Sequence, residues 1–312
     1  MVRFMTHVPR RLLKQPFLWA ALLILAVSCS PDRHDVTGPA TPPDAPAVAA
    51  PSGATTAAGV CDFDPMESAL TGPGWSKVFE EGFSGGLSQW TTWNGGAFNE
   101  ELQMYQAANL QTANGLLNIT ARKETVTGPT TPFDATPKTF SYTSGRIESK
   151  NIFSASNGTP KVRLSARLKL PGGYGMWPAF WSYGDPWPTQ GEIDVVEARG
   201  QEPFVYHTAY WFGRRSGKNL VSNSATDIWS SVSLTACWHV YEVIWTRNTL
   251  TYLYDGQVVD TKSGDYIPGM FGKKQRITLN LAVGGLFFGN YDPAAIQPGT
   301  FQVDWVKAFT SR

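Results

Sequence analysis

Lys161-Val162-Arg163-Leu164-Ser165-Ala166-Arg167-Leu168-Lys169-Leu170 alternates without a break. Val162, Leu164, Ala166, Leu168 and Leu170 fall on one face, and Lys161, Arg163, Ser165, Arg167 and Lys169 on the other. Successive side chains of an extended chain point to opposite sides, so this is a strand with one face in a core and one in water. Similar aromatic and β-branched runs lie upstream at 116–122 and 142–150. Others lie downstream at 204–212, 239–246, 249–254, 276–283 and 300–309. Asp255-Gly256 makes a tight hairpin turn into 257–261. No stretch sustains a helical period, and no internal repeat suggests a propeller or solenoid. About a dozen strands punctuated by Gly and Pro predict an all-β protein, a two-sheet antiparallel sandwich.

Composition agrees. Only 16% of residues are charged, against roughly 25% in an average globular protein. Aromatics are abundant instead, with 17 Phe, 12 Trp and 11 Tyr, which argues against a helical bundle and suits a flat, uncharged ligand such as a sugar ring. The 26 basic and 25 acidic residues leave a net charge of +1, so there is no electrostatic reason to expect nucleic acid or an anionic membrane surface as a partner.

Residues 1–29 read as an export signal. Arg3, Arg10, Arg11 and Lys14 precede an apolar run over 17–27, too short to span a bilayer comfortably. It ends in Ala26-Val27-Ser28-Cys29, which resembles a bacterial lipobox with Ala26 where Leu is usual. Lipidation of Cys29 would anchor the chain at the cell envelope; ordinary signal-peptidase cleavage would secrete it. Residues 30–60, rich in Pro, Ala and Thr, read as a tether that cannot bury enough surface to order itself. Residues 61–312 then form one domain, expected to act as a monomer. Cys61 and Cys237 permit one disulfide in an exported chain, and two buried thiols are the alternative.

The chemistry concentrates in Gly191-Glu192-Ile193-Asp194-Val195-Val196-Glu197. In a regular strand Glu192, Asp194 and Val196 share a face, and Glu197 points away. A bulge between Asp194 and Glu197 brings Glu197 round to its partners. Two Glu side chains leaning together would then stand about 5–5.5 Å apart, the spacing for glycoside hydrolysis with retention. Asp194 between them tunes their protonation, because close carboxylates oppose each other's ionisation. An acidic edge strand that blocks aggregation is the bland reading, but acids among Ile and Val are costly unless used or neutralised. Carboxylates alone would favour calcium or magnesium at a metal site. Trp177-Pro178-Ala179-Phe180-Trp181 and Trp187 lie just upstream, placed either to fill a core or to stack on sugar.

These residues resemble glycoside hydrolase family 16, in the laminarinase-like form whose acid motif carries the extra residue. Further motifs follow in order: Asn99-Glu100-Glu101-Leu102-Gln103-Met104-Tyr105, Tyr142-Thr143-Ser144-Gly145-Arg146 and Leu170-Pro171-Gly172-Gly173-Tyr174-Gly175-Met176-Trp177. Trp238-His239-Val240-Tyr241-Glu242-Val243-Ile244-Trp245, Asn280-Leu281-Ala282-Val283-Gly284-Gly285 and Val303-Asp304-Trp305-Val306 complete the set, over about residues 75–310. The resemblance implies a β-jelly-roll with a concave polysaccharide cleft. It implies Glu192 as nucleophile, Asp194 as assisting acid and Glu197 as general acid/base, with Asn99, Glu101, Arg146, Trp177 and Trp181 lining the cleft. For a cleft histidine it leaves His207 or Tyr210, with His207 favoured. No cofactor is required, but a structural calcium at Asp304 is implied, weakened because Glu81-Gly82-Phe83 lacks a Glu used by some members. The expected activity is retaining endo-hydrolysis of β-1,3-glucan or mixed-linkage β-glucan. The rivals are the same machinery on agarose, carrageenan or another β-glycan, and a non-catalytic carbohydrate-binding surface lipoprotein.

Overall fold

A computed structural model describes residue 50, residues 55–70, 72–222 and 224–312. The apolar run at 17–27, Cys29 and most of the tether lie outside the described residues. Thr55–Ala57, inside the stretch read as tether, is a short strand paired in parallel with Thr226–Ser230.

Two large sheets stack on each other. The first, called here the site sheet, runs from edge to edge as Thr55–Ala57, Thr226–Ser230, Val205–Trp211, Glu192–Ala198, Met176–Tyr183, Arg276–Val283, Arg146–Ser149 and Trp90–Thr92. The second, the back sheet, runs Gln257–Ser263, Thr249–Tyr254, His239–Trp245, Lys161–Lys169, Thr300–Ser311, Leu116–Thr120 and Leu110–Ala113, with Trp75–Glu81 added on Thr300–Ser311. A third sheet of Gln103–Tyr105, Asp134–Ser144 and Arg122–Thr131 is built largely on one long hairpin. Only two four-residue α-helices occur among the described residues, and none is long and apolar enough to cross a membrane. The architecture is the jelly-roll sandwich.

The alternating strand behaves as its pattern predicts on the core side. Val162, Leu164, Ala166 and Leu168 are each at most 1% exposed and join one cluster with Phe180, Ile193, Val195 and Val196 from the site sheet. The other face departs from expectation. Arg163 and Ser165 are buried, not solvated. Arg163 forms a two-pronged pair with Glu242, Nε to Oε2 at 2.6 Å and Nη2 to Oε1 at 2.7 Å, and Ser165 Oγ donates to the same carboxylate. Arg163 also donates to the Leu70 carbonyl, at the end of the helix Glu67–Leu70 that lies over this face. Alternation reports which residues face the core; it does not report what covers the opposite side.

Cys61 and Cys237 form a disulfide, with Cα atoms 5.0 Å apart and 176 positions between them in sequence. It ties the start of the folded region to the segment preceding His239–Trp245.

Candidate active site

The acid strand Glu192–Ala198 carries the expected bulge. Against Met176–Tyr183 the register runs Tyr183 to Glu192 and Trp181 to Asp194, then slips, so that Phe180 faces Val196 and Ala179 faces Glu197. Against Val205–Trp211 it runs Asp194 to Ala209 and then Glu197 to His207. The acid strand thus advances three residues where its neighbour advances two. One extra residue restores the phase: Glu192, Asp194 and Glu197 share a face, while Ile193, Val195 and Val196 enter the core at 0–1% exposure.

Each acid is held by an indole. Trp187 Nε1 donates to Glu192 Oε2 at 2.8 Å, and Trp177 Nε1 donates to Glu197 Oε1 at 3.0 Å. Trp211 supplies a hydrogen bond to Asp194. Indole N–H is a donor only, so it fixes a carboxyl oxygen without competing for a proton. Asp194 is 3% exposed, and its Oδ2 is buried with no protein partner. All three carboxyls are pushed upward. Burial acts first on Glu192, then the Glu197 charge, taking it to about 8 against the pull of Trp187 and Arg146. Burial takes Glu197 to about 7, opposed by the Trp177 hydrogen bond. Asp194 is raised well above the usual range by burial and then by its two neighbours.

The remaining cleft residues converge on this face. Trp181 Nε1 donates to Asn280 Oδ1 at 2.7 Å, and Asn280 Nδ2 donates to the Tyr105 hydroxyl at 3.1 Å. That hydroxyl and Gln103 Nε2 both donate to Glu101 Oε2, at 3.0 and 2.7 Å. Burial raises the Glu101 carboxyl against those two bonds. Arg146 donates to Glu148 Oε1 at 2.6 Å and lies over Trp93 at 3.9 Å and Trp181 at 4.9 Å. Asn99 is exposed, with a left-handed backbone, and its carbonyl accepts from Leu286 N. Gly285 makes that approach possible: at φ +94 a Cβ there would lie 2.8 Å from the Asn99 oxygen.

Register separates the two candidates. His207 stands opposite Glu197, whereas Tyr210 stands opposite core-facing Ile193 and joins the core cluster. Arg199, a donor only, contacts His207 Nε2 at 3.1 Å, so Nδ1–H donates to Asp227 Oδ1 at 2.8 Å. Burial, then Arg199, lowers its pKa and keeps the ring neutral. Its edge meets Phe287, the ring on which Trp177 stacks at 4.6 Å.

Sequence reasoning missed Trp211, Tyr105, Glu148, Arg199, Asn280 and Phe287 as site residues. Tyr105 and Asn280 lie inside motifs already singled out, and Arg199 follows Glu197 by two positions. Phe287 carried no sequence signal.

The calcium expectation at Asp304 does not fit. The Asp304 carboxylate accepts from Arg167 Nη1 at 2.6 Å, and the same guanidinium donates to the carbonyls of Phe63 and Asp62. The cation at this corner is therefore Arg167. Glu81 is also committed, accepting from Phe83 N, Gln89 and Trp90. Among the described residues no group of three or more His, Cys, Asp or Glu side chains is arranged to hold a metal ion.

Known proteins resemble this chain in sequence and fold. The model described as glycosyl hydrolases family 16 matches residues 97–307. A glucan endo-1,3-beta-glucosidase A1 from Niallia circulans is 33% identical over 236 residues, covering 70% of this chain but only 33% of that protein. A glucan endo-1,3-beta-glucosidase from Cryptopygus antarcticus is 31% identical over 264 residues, covering 76% of this chain and 92% of that protein. Among solved structures, an endo-beta-1,3-glucanase from Pyrococcus furiosus superposes with a TM-score of 0.64 at 32% identity, over 76% of this chain and 95% of its own.

Proposed function

This chain belongs to glycosyl hydrolases family 16, and from that premise we propose that it is a retaining endo-glycosidase that cleaves β-1,3-glucan, with mixed-linkage β-glucan as a second substrate. The observation that carries the reading is the carboxyl triplet on one face, with Glu192 and Glu197 each bound by an indole and raised in pKa. The substrate class is supported by the two endo-1,3-beta-glucosidase relatives and the Pyrococcus furiosus structure.

Glu192 attacks the anomeric carbon while Glu197 gives its proton to the departing glycosidic oxygen. A glycosyl ester on Glu192 results. Glu197, now a carboxylate, takes a proton from water, which attacks the ester and releases the sugar with its configuration retained. Glu192 must therefore be ionised while Glu197 is protonated. The three carboxyls titrate as one coupled set. A proton on Glu197 removes the charge that opposes ionisation of Glu192, and Trp187 and Arg146 then stabilise the Glu192 carboxylate. Asp194 keeps its own proton, so its buried Oδ2 can serve as a donor to the nucleophile as charge shifts. Trp181, Arg146, Glu101 and Asn99 offer the sugar an aromatic face and hydrogen-bonding groups.

Glu192→Gln is expected to lower kcat on laminarin by on the order of 10⁴ or more; full activity would overturn the assignment. A panel of laminarin, mixed-linkage glucan, agarose and carrageenan, read for product size and anomer, tests the substrate. Product from galactans alone would reassign it, and no product from any would favour a carbohydrate-binding protein.

We propose further that the chain is exported and acts as a monomer, secreted or anchored through Cys29. The signal-like residues 1–29 and the Cys61–Cys237 bond support an oxidising destination. The mass of the mature N-terminus distinguishes a lipidated Cys29 from simple cleavage.

A further inference from the structure

Beyond Arg146 the site sheet continues to its edge strand Trp90–Thr92, and a groove of about 480 Å³ opens there. Its floor is Tyr183, Glu148 and Arg276, and its far wall is Trp93 and Phe133. Phe133 sits at the tip of the long hairpin formed by Arg122–Thr131 and Asp134–Ser144 and is 75% exposed. Its ring stands at 85° to Trp93, with centroids 5.7 Å apart, so Trp93 props it upright with a face free. Phe133 is the most exposed Phe or Trp among the described residues, and beside Trp93 it forms part of an aromatic pair rather than a scattered side chain.

The hairpin is held in place. Gly96 N donates to the Pro129 carbonyl at 3.0 Å, and a Cβ on Gly96 would lie 2.4 Å from the Thr130 oxygen. Thr130 Oγ1 donates to the Thr136 carbonyl at 2.7 Å, bracing the turn. The ring is thus presented on a stiff support.

This groove is continuous with the acid cleft. Tyr183 stands opposite Glu192 in register and stacks on Trp181 at 4.9 Å. Arg146 lies over both Trp181 and Trp93, joining the two aromatic walls. From the acid strand to Trp90–Thr92 there are four interstrand steps, about 19 Å at ~4.8 Å each. Only several sugar units in a row cover that span. Charge in the groove is internally balanced: Arg276 pairs with Glu148 at 3.2 Å and with Asp185 at 3.1 Å. Among the described residues that line the groove, no unpaired cation is offered to a sulfated or carboxylated glycan, while the half-exposed Asp185 can accept from hydroxyls.

We infer that Trp93, Phe133 and Asp185 form a distal subsite for neutral sugar units of the same glycan chain, with the Phe133 face as stacking platform. The inference rests on the hydrolase reading above and adds to it: this chain gains binding energy from long oligosaccharides that short ones cannot reach. The test compares kcat/KM on laminarihexaose with kcat/KM on laminaritriose. In Phe133→Ala the hexaose-to-triose ratio is expected to fall roughly three- to ten-fold, the worth of one aromatic contact. Val258→Ala, at an exposed position of the back sheet, is the control and should leave the ratio as in wild type. An unchanged ratio in Phe133→Ala, or an equal fall in Val258→Ala, overturns the subsite while wild-type hydrolysis still stands. Wild-type protein that cleaves neither oligosaccharide overturns the β-1,3-glucan reading and the subsite with it.

Discussion

Trp187, Trp211 and Trp177 divide three acids among them, one indole each. Each indole favours the ionised form of its partner, whereas burial and mutual repulsion favour the protonated form. Burial wins for all three. The three acids titrate together, so the limbs of kcat/KM belong to the coupled set, and the alkaline limb, where the proton needed on Glu197 is lost, should lie well above the ordinary carboxylate range. Glu197→Gln should abolish that limb and lower kcat about 10²- to 10⁴-fold on a substrate with a poor leaving group. Stability follows with a definite sign. The unfolded carboxyl titrates near 4.5 and the folded one near 7, so the native state holds the extra proton between them. Stability is fully present below about 4.5 and falls as pH rises through 7, and Glu197→Gln should flatten that fall in thermal melts against pH. Trp187→Phe removes the donor to Glu192 at a partly exposed position, so the nucleophile's pKa should rise. The acid limb of the pH profile should move to higher pH, with the melting temperature little changed. The acids could be read in sequence because three of them interrupt a β-branched run. Their indole partners could not be paired off, because Trp187 and Trp211 reach them from outside the strand.

At the scale of the strand, one extra residue decides which groups meet. Val195 and Val196 both go to the core, so the acid strand holds two consecutive inward residues where a regular strand holds one. Deleting one valine restores strict alternation and still leaves Glu192, Asp194 and Glu197 on a common face. That variant should remain soluble and keep reduced, measurable hydrolysis. Deleting Ile193 instead breaks the phase between Glu192 and its partners and should yield no soluble enzyme; soluble expression and activity of both variants check this. The bulge was legible because only a bulge reconciles three acids with the surrounding aliphatics. The buried back of Lys161–Lys169 was not. Arg163 and Ser165 look solvent-facing by alternation, and Glu242, 77 to 79 positions away in sequence, together with the helix Glu67–Leu70, makes them interior.

For the whole molecule, distant segments are pinned together at several points. The Cys61–Cys237 bond closes 176 positions of chain, and Arg167 bridges Asp304 to the carbonyls of Asp62 and Phe63. Restricting so long a loop in the unfolded chain is worth about 5 kcal/mol in the chain-entropy picture. The double variant Cys61→Ser/Cys237→Ser should therefore lower unfolding free energy by about 2–5 kcal/mol in denaturant titration, with the cleft activity retained at low temperature. By itself the sequence determined the all-β sandwich, the bulged acid triplet and the motifs that furnish the cleft. These are properties of near neighbours along the chain: alternation, spacing and composition. Tertiary structure alone decided which indole binds which acid, that His207 rather than Tyr210 shares the site face, and that Arg167 pairs with Asp304. It also decided that the hairpin carrying Phe133 stands beside Trp93. Those outcomes depend on register between strands far apart in sequence, where a shift of one residue turns every side chain to the opposite face.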